Sequence, residues 1–461
     1  MKRTVRTTTL FAISLILHAV VHGAEDRPLQ LATSIEEEAA RGIERHRKGD
    51  VSILLRFPDG RPVANMTVEA RQVSHDFHFG NYIRPRHYEN QAYLNRFREL
   101  FNAVQLLEFN WGQYEPDEGQ PLLQQRRDFI RNWCRPRGLD HFYGHMLVWT
   151  RQYGEYPRTG LPLWLFKYDQ ATQYDLLRKR IQREVSAYKD INLTFDVVNE
   201  AVHCRVWGDW EKDSYIQNKT PEPLARIVPY VRDALTWAHK ANPDARLLIN
   251  DYEVIVKGRF QDQYKALIDA LLSENVLPLS AIGIQAHEPY KGRYWYSPEE
   301  LWTTYNLFGK ETGLPIYITE FFQVSGNNER IRGNYRSGHW SQELQADAIE
   351  QFYRITFGHP SIEAIYYFGM TDADVTTATC GLLDKHYQPK AAWHRLKKLI
   401  LDEWTTKTAG QTAADGRFRF RGFFGKYRIR VSRNGVEQQF DLYVGKGERN
   451  DFELVVKDPG G

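Results

Sequence analysis

Two apolar runs of this chain end abruptly in a glutamate. TFDVVNE delivers Asn199 and Glu200 at its tip, and PIYITE delivers Glu320. Segments of that composition are built for burial, so each carboxylate stands where a buried element emerges rather than on a solvated face. Two carboxylates brought to one place can divide the work on a single bond: one forms a covalent intermediate while the other gives and takes a proton. That division needs unlike surroundings, since the acid must hold its proton while its partner is ionised.

Further candidates end runs of the same kind. HFYGHMLVW carries His145 and Trp149, and AIGIQAH carries Gln285 and His287. Singly, such residues have ordinary explanations: a glutamate beside a helix N-terminus, an imidazole satisfied by a backbone carbonyl. Their arrival together at the ends of separate runs favours a shared site. With 12 Trp, 26 Tyr and 24 Phe the chain has flat apolar faces on which a ring-shaped ligand can stack; Trp149 is the specific candidate, with Trp207 and Trp210 just past Glu200.

The elements that must position these residues follow from a recurring pattern. Eight short β-rich runs occupy residues 77–83, 101–107, 141–149, 193–199, 246–251, 281–287, 315–320 and 363–369. Each is followed by a charged stretch with apolar residues at helical spacing, such as YDLLRKRIQREVSAYKDI or RFQDQYKALIDALLSEN. Strand then helix, repeated eight times, predicts an α/β protein with a (β/α)8 TIM barrel over residues 76–404. A doubly wound open sheet fits less well, because no glycine-rich phosphate turn follows the first strand. Barrel strands are covered on both faces and open at their C-terminal ends into the active-site mouth. Glu200 and Glu320 then end the fourth and seventh strands and face each other across that mouth. About 5 Å between two such carboxyls suits a retaining glycosidase, one acting as nucleophile and the other as acid and then base.

The flanks read differently. VSILLRF and MTVEARQV, joined by PDGRPVAN, predict a β-hairpin within an N-terminal extension over residues 25–75, and the alternation of GRFRFRGFFGKYRIRVSRNGVEQQFDLYVG predicts an antiparallel β module over 405–461. Residues 1–24 have the layout of a secretory signal peptide: Lys2, Arg3 and Arg6 precede an apolar run from Leu10 to Val21. The run is shorter than the roughly 20 residues a membrane span needs. Export to the periplasm or the exterior is expected, with no membrane attachment once the leader is gone.

Of the 61 Lys and Arg residues three lie in the leader, which leaves 58 against 58 Asp and Glu. A balanced mature chain without a basic run argues against a nucleic-acid partner. Cys134, Cys204 and Cys380 are too few and too scattered for a disulfide framework or a metal site, and small buried side chains explain them best.

The motifs resemble those of glycoside hydrolase family 10, the endo-β-1,4-xylanases, across residues 75–403: YGHMLVW, FDVVNEAV, LLINDYEV, GIQAH and IYITE in order, then YQPKAAWHRL as the last barrel helix. The resemblance implies that Glu200 is the acid/base and Glu320 the nucleophile. It places Asn199 against the 2-hydroxyl of the sugar at the cleavage point, with His145, Trp149, Gln285 and His287 lining the same subsite. It implies a xylan-type polysaccharide as partner and no metal or organic cofactor; a monomer is expected. Two alternatives stay open, a retaining glycosidase on another β-linked glycan and a non-catalytic carbohydrate-binding barrel. The chain also departs from the family. After the second strand the usual Glu-Asn pair and Lys are missing; Leu106, Leu107 and Asn110 stand there, with Glu108 as a displaced candidate. Thr150 replaces a His, Phe322 the Asp two residues past the nucleophile, and Phe368 a Trp on the eighth strand. These changes predict a glycone side stripped of polar grip and a His287 without its carboxylate partner.

Overall fold

The computed structural model describes residues 26–151, 160–191, 193–204, 206–208, 222–273, 278–326, 328–374 and 379–457, with backbone alone for 26–33. The leader reading and Trp210 lie outside these residues. Eight parallel strands close into a barrel: His78–Ile83, Ala103–Leu106, His141–Gly144, Leu193–Asn199, Leu247–Asp251, Ala281–Ile284, Ile316–Phe321 and Ile362–Tyr367. Six fall within the runs predicted above, and the last two overrun theirs by one residue, at Phe321 and Ile362. The third is shorter than expected, ending at Gly144. His145 to Trp149 therefore leave the sheet proper, although the Leu147 and Val148 amides still donate to Asp196 and Val197 of the fourth strand at 2.8 and 3.0 Å.

Inside the barrel, Tyr143, Leu248, Tyr317 and Tyr366 pack with Ala103, Ala281 and Ala364. The small residues make room for the rings. Gly80 does the same, for a Cβ there would lie 2.2 Å from the Tyr366 ring. This layer plugs the barrel and gives the polar mouth a dry floor. Outside, helices such as Gln170–Ala187 and Leu224–Ala241 cover the strands, the former started by Asp169, whose carboxylate accepts from the Thr172 amide at 2.8 Å.

The flanks correct the sequence reading in two ways. Asp26–His46 is a helix, not part of a β extension. It lies against Gln342–Gly358 so closely at one point that a Cβ on Gly42 would come within 2.1 Å of the Gly358 carbonyl oxygen. The expected hairpin strands both form, at Lys48–Arg56 and Thr67–His75, but they do not pair with each other. The first pairs with Arg417–Phe423 and Asp451–Val455, the second with Lys407–Gln411 and Gly425–Arg433, and Val436–Val444 completes the second sheet. Alternation reveals which face of a strand is buried but not which strand lies alongside. The two flanks of the barrel thus build one two-sheet module around Val51, Ile53, Leu55, Val68, Tyr427, Ile429 and Val431.

Arg47 fastens this module to the barrel. Its guanidinium donates to the carbonyls of Phe357, His359 and Ile362 at 2.6–2.8 Å and lies over the rings of Phe77 and Phe357. Burial pushes its pKa down to about 9, so it keeps its charge at neutral pH. Truncation after Trp404 removes every sheet partner of Lys48–Arg56 and Thr67–His75. The shortened chain is expected to aggregate or to melt well below the parent in a thermal scan, and an unchanged melting temperature would refute the shared core.

Candidate active site

The fourth strand and the residue after it offer Asp196, Asn199 and Glu200, a spacing that simple alternation would not bring to one side. A register shift between Asp196 and Val198 against the fifth strand supplies the missing step. The extra residue of this bulge flips the alternation, so Asp196 meets His145 and Asn199 meets Asn250 on the same inward side. Glu200 follows with φ 57°, its amide donating to the Asn250 carbonyl at 2.7 Å, and this left-handed turn carries its side chain across the mouth. The seventh strand has a similar shift between Ile318 and Phe321 against the eighth, and the adjacent Thr319 and Glu320 both reach Asn250.

Glu320 and Glu200 are each 6 % exposed. Asn250 donates to Glu320 Oε1 at 3.2 Å, while His145 Nε2 lies 3.5 Å from Oε1 and His287 Nε2 3.5 Å from Oε2. Burial raises the Glu320 pKa, but the charge of His145, the contacts with His287 and the Asn250 amide outweigh it and leave Glu320 below its ordinary value. His145 donates from Nδ1 to Asp196 Oδ2 at 2.9 Å. Desolvation works against a charged His145, yet Glu320 and Asp196 more than compensate and its pKa is raised. Burial pushes Asp196 up to about 6, so this pair carries a proton close to Glu320 through the acidic range.

Glu200 has different company. Trp149 Nε1 donates to its Oε2 at 2.9 Å, Gln285 Nε2 donates to Oε1 at 3.3 Å, and Arg151 Nη1 lies 3.7 Å from Oε2. Gln285 also donates to Asn199 Oδ1, and its own Oε1 faces His287 Nε2 at 2.9 Å. An amide oxygen can only accept, so His287 carries its proton on Nε2. Asn199 Oδ1 accepts from both Asn250 and Gln285, which turns its amino group toward the open cleft. The cleft encloses about 360 Å³. Among the described residues no group of three or more His, Cys, Asp or Glu side chains is arranged to hold a metal ion.

All seven residues predicted from the sequence therefore line one cleft. Trp207 does not; it packs on Tyr174, 6.1 Å between centroids. The departures acquire a geometry as well. Phe322 stacks on His287 at 5.3 Å, and Tyr252 lies parallel at 6.4 Å, so aromatic faces and Gln285 orient the imidazole in place of a carboxylate partner two residues past Glu320. Polar groups also stand beyond the second strand: Arg84 donates to Glu108 at 3.3 Å, and both line the cleft with Asn110, Gln113 and Lys291.

Comparison with known proteins agrees with this geometry. The profile of glycosyl hydrolase family 10 matches residues 69–399. The chain belongs to that family. Curated relatives include the anti-sigma-I factor RsgI6 of Acetivibrio thermocellus, 26% identical over 91% of this chain and 50% of its own length. Endo-1,4-beta-xylanase 1 of Arabidopsis thaliana is 26% identical over 85% and 37%. The chain thus spans half or less of these relatives. Endo-1,4-beta-xylanase B of Thermotoga neapolitana is 28% identical over 56% of this chain and 69% of its own. Among solved structures, xylanase 10B from Thermotoga maritima superposes with a TM-score of 0.56 at 23% identity, covering 71% of this chain and 96% of that one, a likeness of fold.

Sequence reasoning missed Asp196, Asn250, Tyr252, Arg84 and Arg151 as members of this site. Asn250 stands next to the end of a strand in LLINDYEV, nearly as visibly as Asn199, and Asp196 is a carboxylate inside an otherwise apolar run. Arg84 and Arg151 sit past strand ends on loops, where no pattern marks them. His145→Asn removes the positive neighbour that favours ionised Glu320, so the Glu320 pKa rises. The acid limb of the kcat/KM profile is expected to move to higher pH, and an unmoved or lowered limb would contradict the assignment.

Proposed function

We propose that this chain is a retaining endo-1,4-β-xylanase with Glu320 as nucleophile and Glu200 as acid/base. The observation that carries the reading is the unlike treatment of two strand-tip carboxylates in one cleft: Glu320 is ringed by His145, His287 and Asn250, and Glu200 by Trp149 and Gln285. The lowered pKa of Glu320 keeps it ionised for attack on the anomeric carbon. Glu200 protonates the departing oxygen, and the carbon–oxygen bond to the leaving chain breaks as the ester to Glu320 forms. Glu200 then takes a proton from water, whose oxygen displaces Glu320 with overall retention. The amino group of Asn199, freed by its two acceptor bonds, is placed to donate to the neighbouring sugar hydroxyl. Xylan as substrate is supported by the xylanase names of the relatives in Arabidopsis thaliana and Thermotoga neapolitana. Export through the N-terminal leader and action as a monomer complete the proposal.

The Arg84–Glu108 pair and the aromatic Phe322 and Phe368 in the cleft favour a second reading, the same chemistry on another β-linked glycan. Release of reducing ends from xylan, arabinoxylan, β-glucan and mannan separates the two, and faster release from a non-xylan polymer would displace the leading choice. Glu320→Gln is expected to abolish turnover of every substrate. Glu200→Gln should lower the rate on xylan by about 10²–10⁴-fold while sparing the first step on an aryl xyloside with a good leaving group, and azide should restore turnover by trapping the glycosyl-enzyme. Full activity of Glu320→Gln would refute the mechanism, as would binding of xylan by the parent without any cleavage.

A further inference from the structure

A second groove, of about 730 Å³, runs between the terminal module and the flank of the barrel. Six cationic side chains line it: Arg71, Lys407, Arg428 and Arg430 from one sheet, Arg98 and Lys397 from barrel helices. Three of them share a rung of the sheet, for Lys407 is the cross-strand partner of Arg71 and Arg71 is that of Arg428. All three are exposed. Like charges directly opposite one another across strands repel, so the fold itself gains nothing from such a rung.

The local carboxylates do not neutralise it. Lys397 has Glu99 at 3.7 Å, Lys407 has Asp402 at 3.6 Å, Arg428 has Asp441 at 3.4 Å and Arg430 has Glu437 at 3.6 Å. These are loose, solvent-exposed pairs of the kind that contribute little. Among the described residues Arg71 and Arg98 have no ion-pair partner within 4 Å, and Glu69 stands in the groove without one either. Apolar surface accompanies the charge, with Val73 49 % exposed and Leu401 on the wall.

We propose that this groove is a glycan-binding site separate from the cleft, and that it selects polysaccharide chains bearing uronate groups. Guanidinium forks match carboxylates bidentately, and the intervening aliphatic stems and Val73 suit the apolar faces of sugar rings. Phe79 and Asn102, at the starts of the first two barrel strands, line the groove, whereas the cleft opens at the strands' C-terminal ends. A segment held here is therefore not the segment being cut, and the site works as a tether to an acidic polymer. The choice of a glycan over other polyanions rests on the proposed xylan reading of the cleft.

Affinity electrophoresis of the full chain tests this through gels containing glucuronoxylan, polygalacturonate or neutral arabinoxylan. The full-length Glu320→Gln protein is used so that the polymers survive. Retardation by the two uronate polymers is expected to weaken with salt and to fall about tenfold in R71Q/K407Q/R428Q, while arabinoxylan retardation stays as in the parent. In the chain with Glu320 intact, the same triple change should leave hydrolysis of an aryl xyloside unchanged, which also reports a folded protein. Glu69→Gln, which removes an acid from the groove, should strengthen uronate retardation and supplies a gain of binding that misfolding cannot imitate. Equal retardation of parent and triple variant by the uronate polymers would overturn the proposal. Tighter binding of a random DNA oligonucleotide or of anionic vesicles through the same residues would overturn it too. Polygalacturonate contains no xylose, so loss of its binding in the triple variant upholds the groove even where xylan proves not to be the substrate.

Discussion

Two carboxylates must be taken out of water close together without either losing its partners. An unpaired buried carboxylate costs several kcal/mol, and two side by side repel. The ring of Asn250, Gln285, His287, His145 and Trp149 meets this constraint with donors, and it treats the two acids differently. Because Gln285 touches Asn199, Glu200 and His287, one amide fixes the orientation of another amide, a carboxylate and an imidazole at once. Positions in the mouth are therefore correlated: disturbing one donor reorients several.

The barrel makes that ring possible by supplying side chains from strands distant in sequence to one level. Strict alternation would not suffice. The bulges in the fourth and seventh strands bring Asp196 and Asn199, and Thr319 and Glu320, inward together. Below them Tyr143 spans both layers, packing in the dry floor while its hydroxyl donates to Asp196 at 3.3 Å. The floor excludes water from beneath, so the charges of His145 and Asp196 act on Glu320 through a poorly screened path.

The terminal module answers a different need. Strands from the two flanks of the barrel, within residues 48–75 and 407–455, form one pair of sheets, and Arg47 ties them to carbonyls at the edge of the barrel. The same construction leaves a sheet face turned toward the flank of the barrel, where cations of both units meet in one groove. Loss of one terminal strand therefore touches core packing and surface charge together.

The eight strands and the seven residues at or beyond their ends were legible in the sequence because barrel strands are covered on both faces, and a polar residue ending an apolar run stands out. Alternation likewise announced the flanking strands, but register and partner are set by contacts between segments hundreds of residues apart, so Lys48–Arg56 read as half of a hairpin when its partners lie near the C-terminus. The helix Asp26–His46 carried a helical pattern that its neighbouring β signals obscured. Arg84, Arg151 and Phe322 take their meaning from what faces them across the cleft, which no local pattern records. The sequence by itself determined the barrel, the carboxylate pair and the family. Tertiary structure alone decided how each carboxylate is solvated and which surface the chain ends enclose, because those depend on distances between residues that only closure of the barrel brings together.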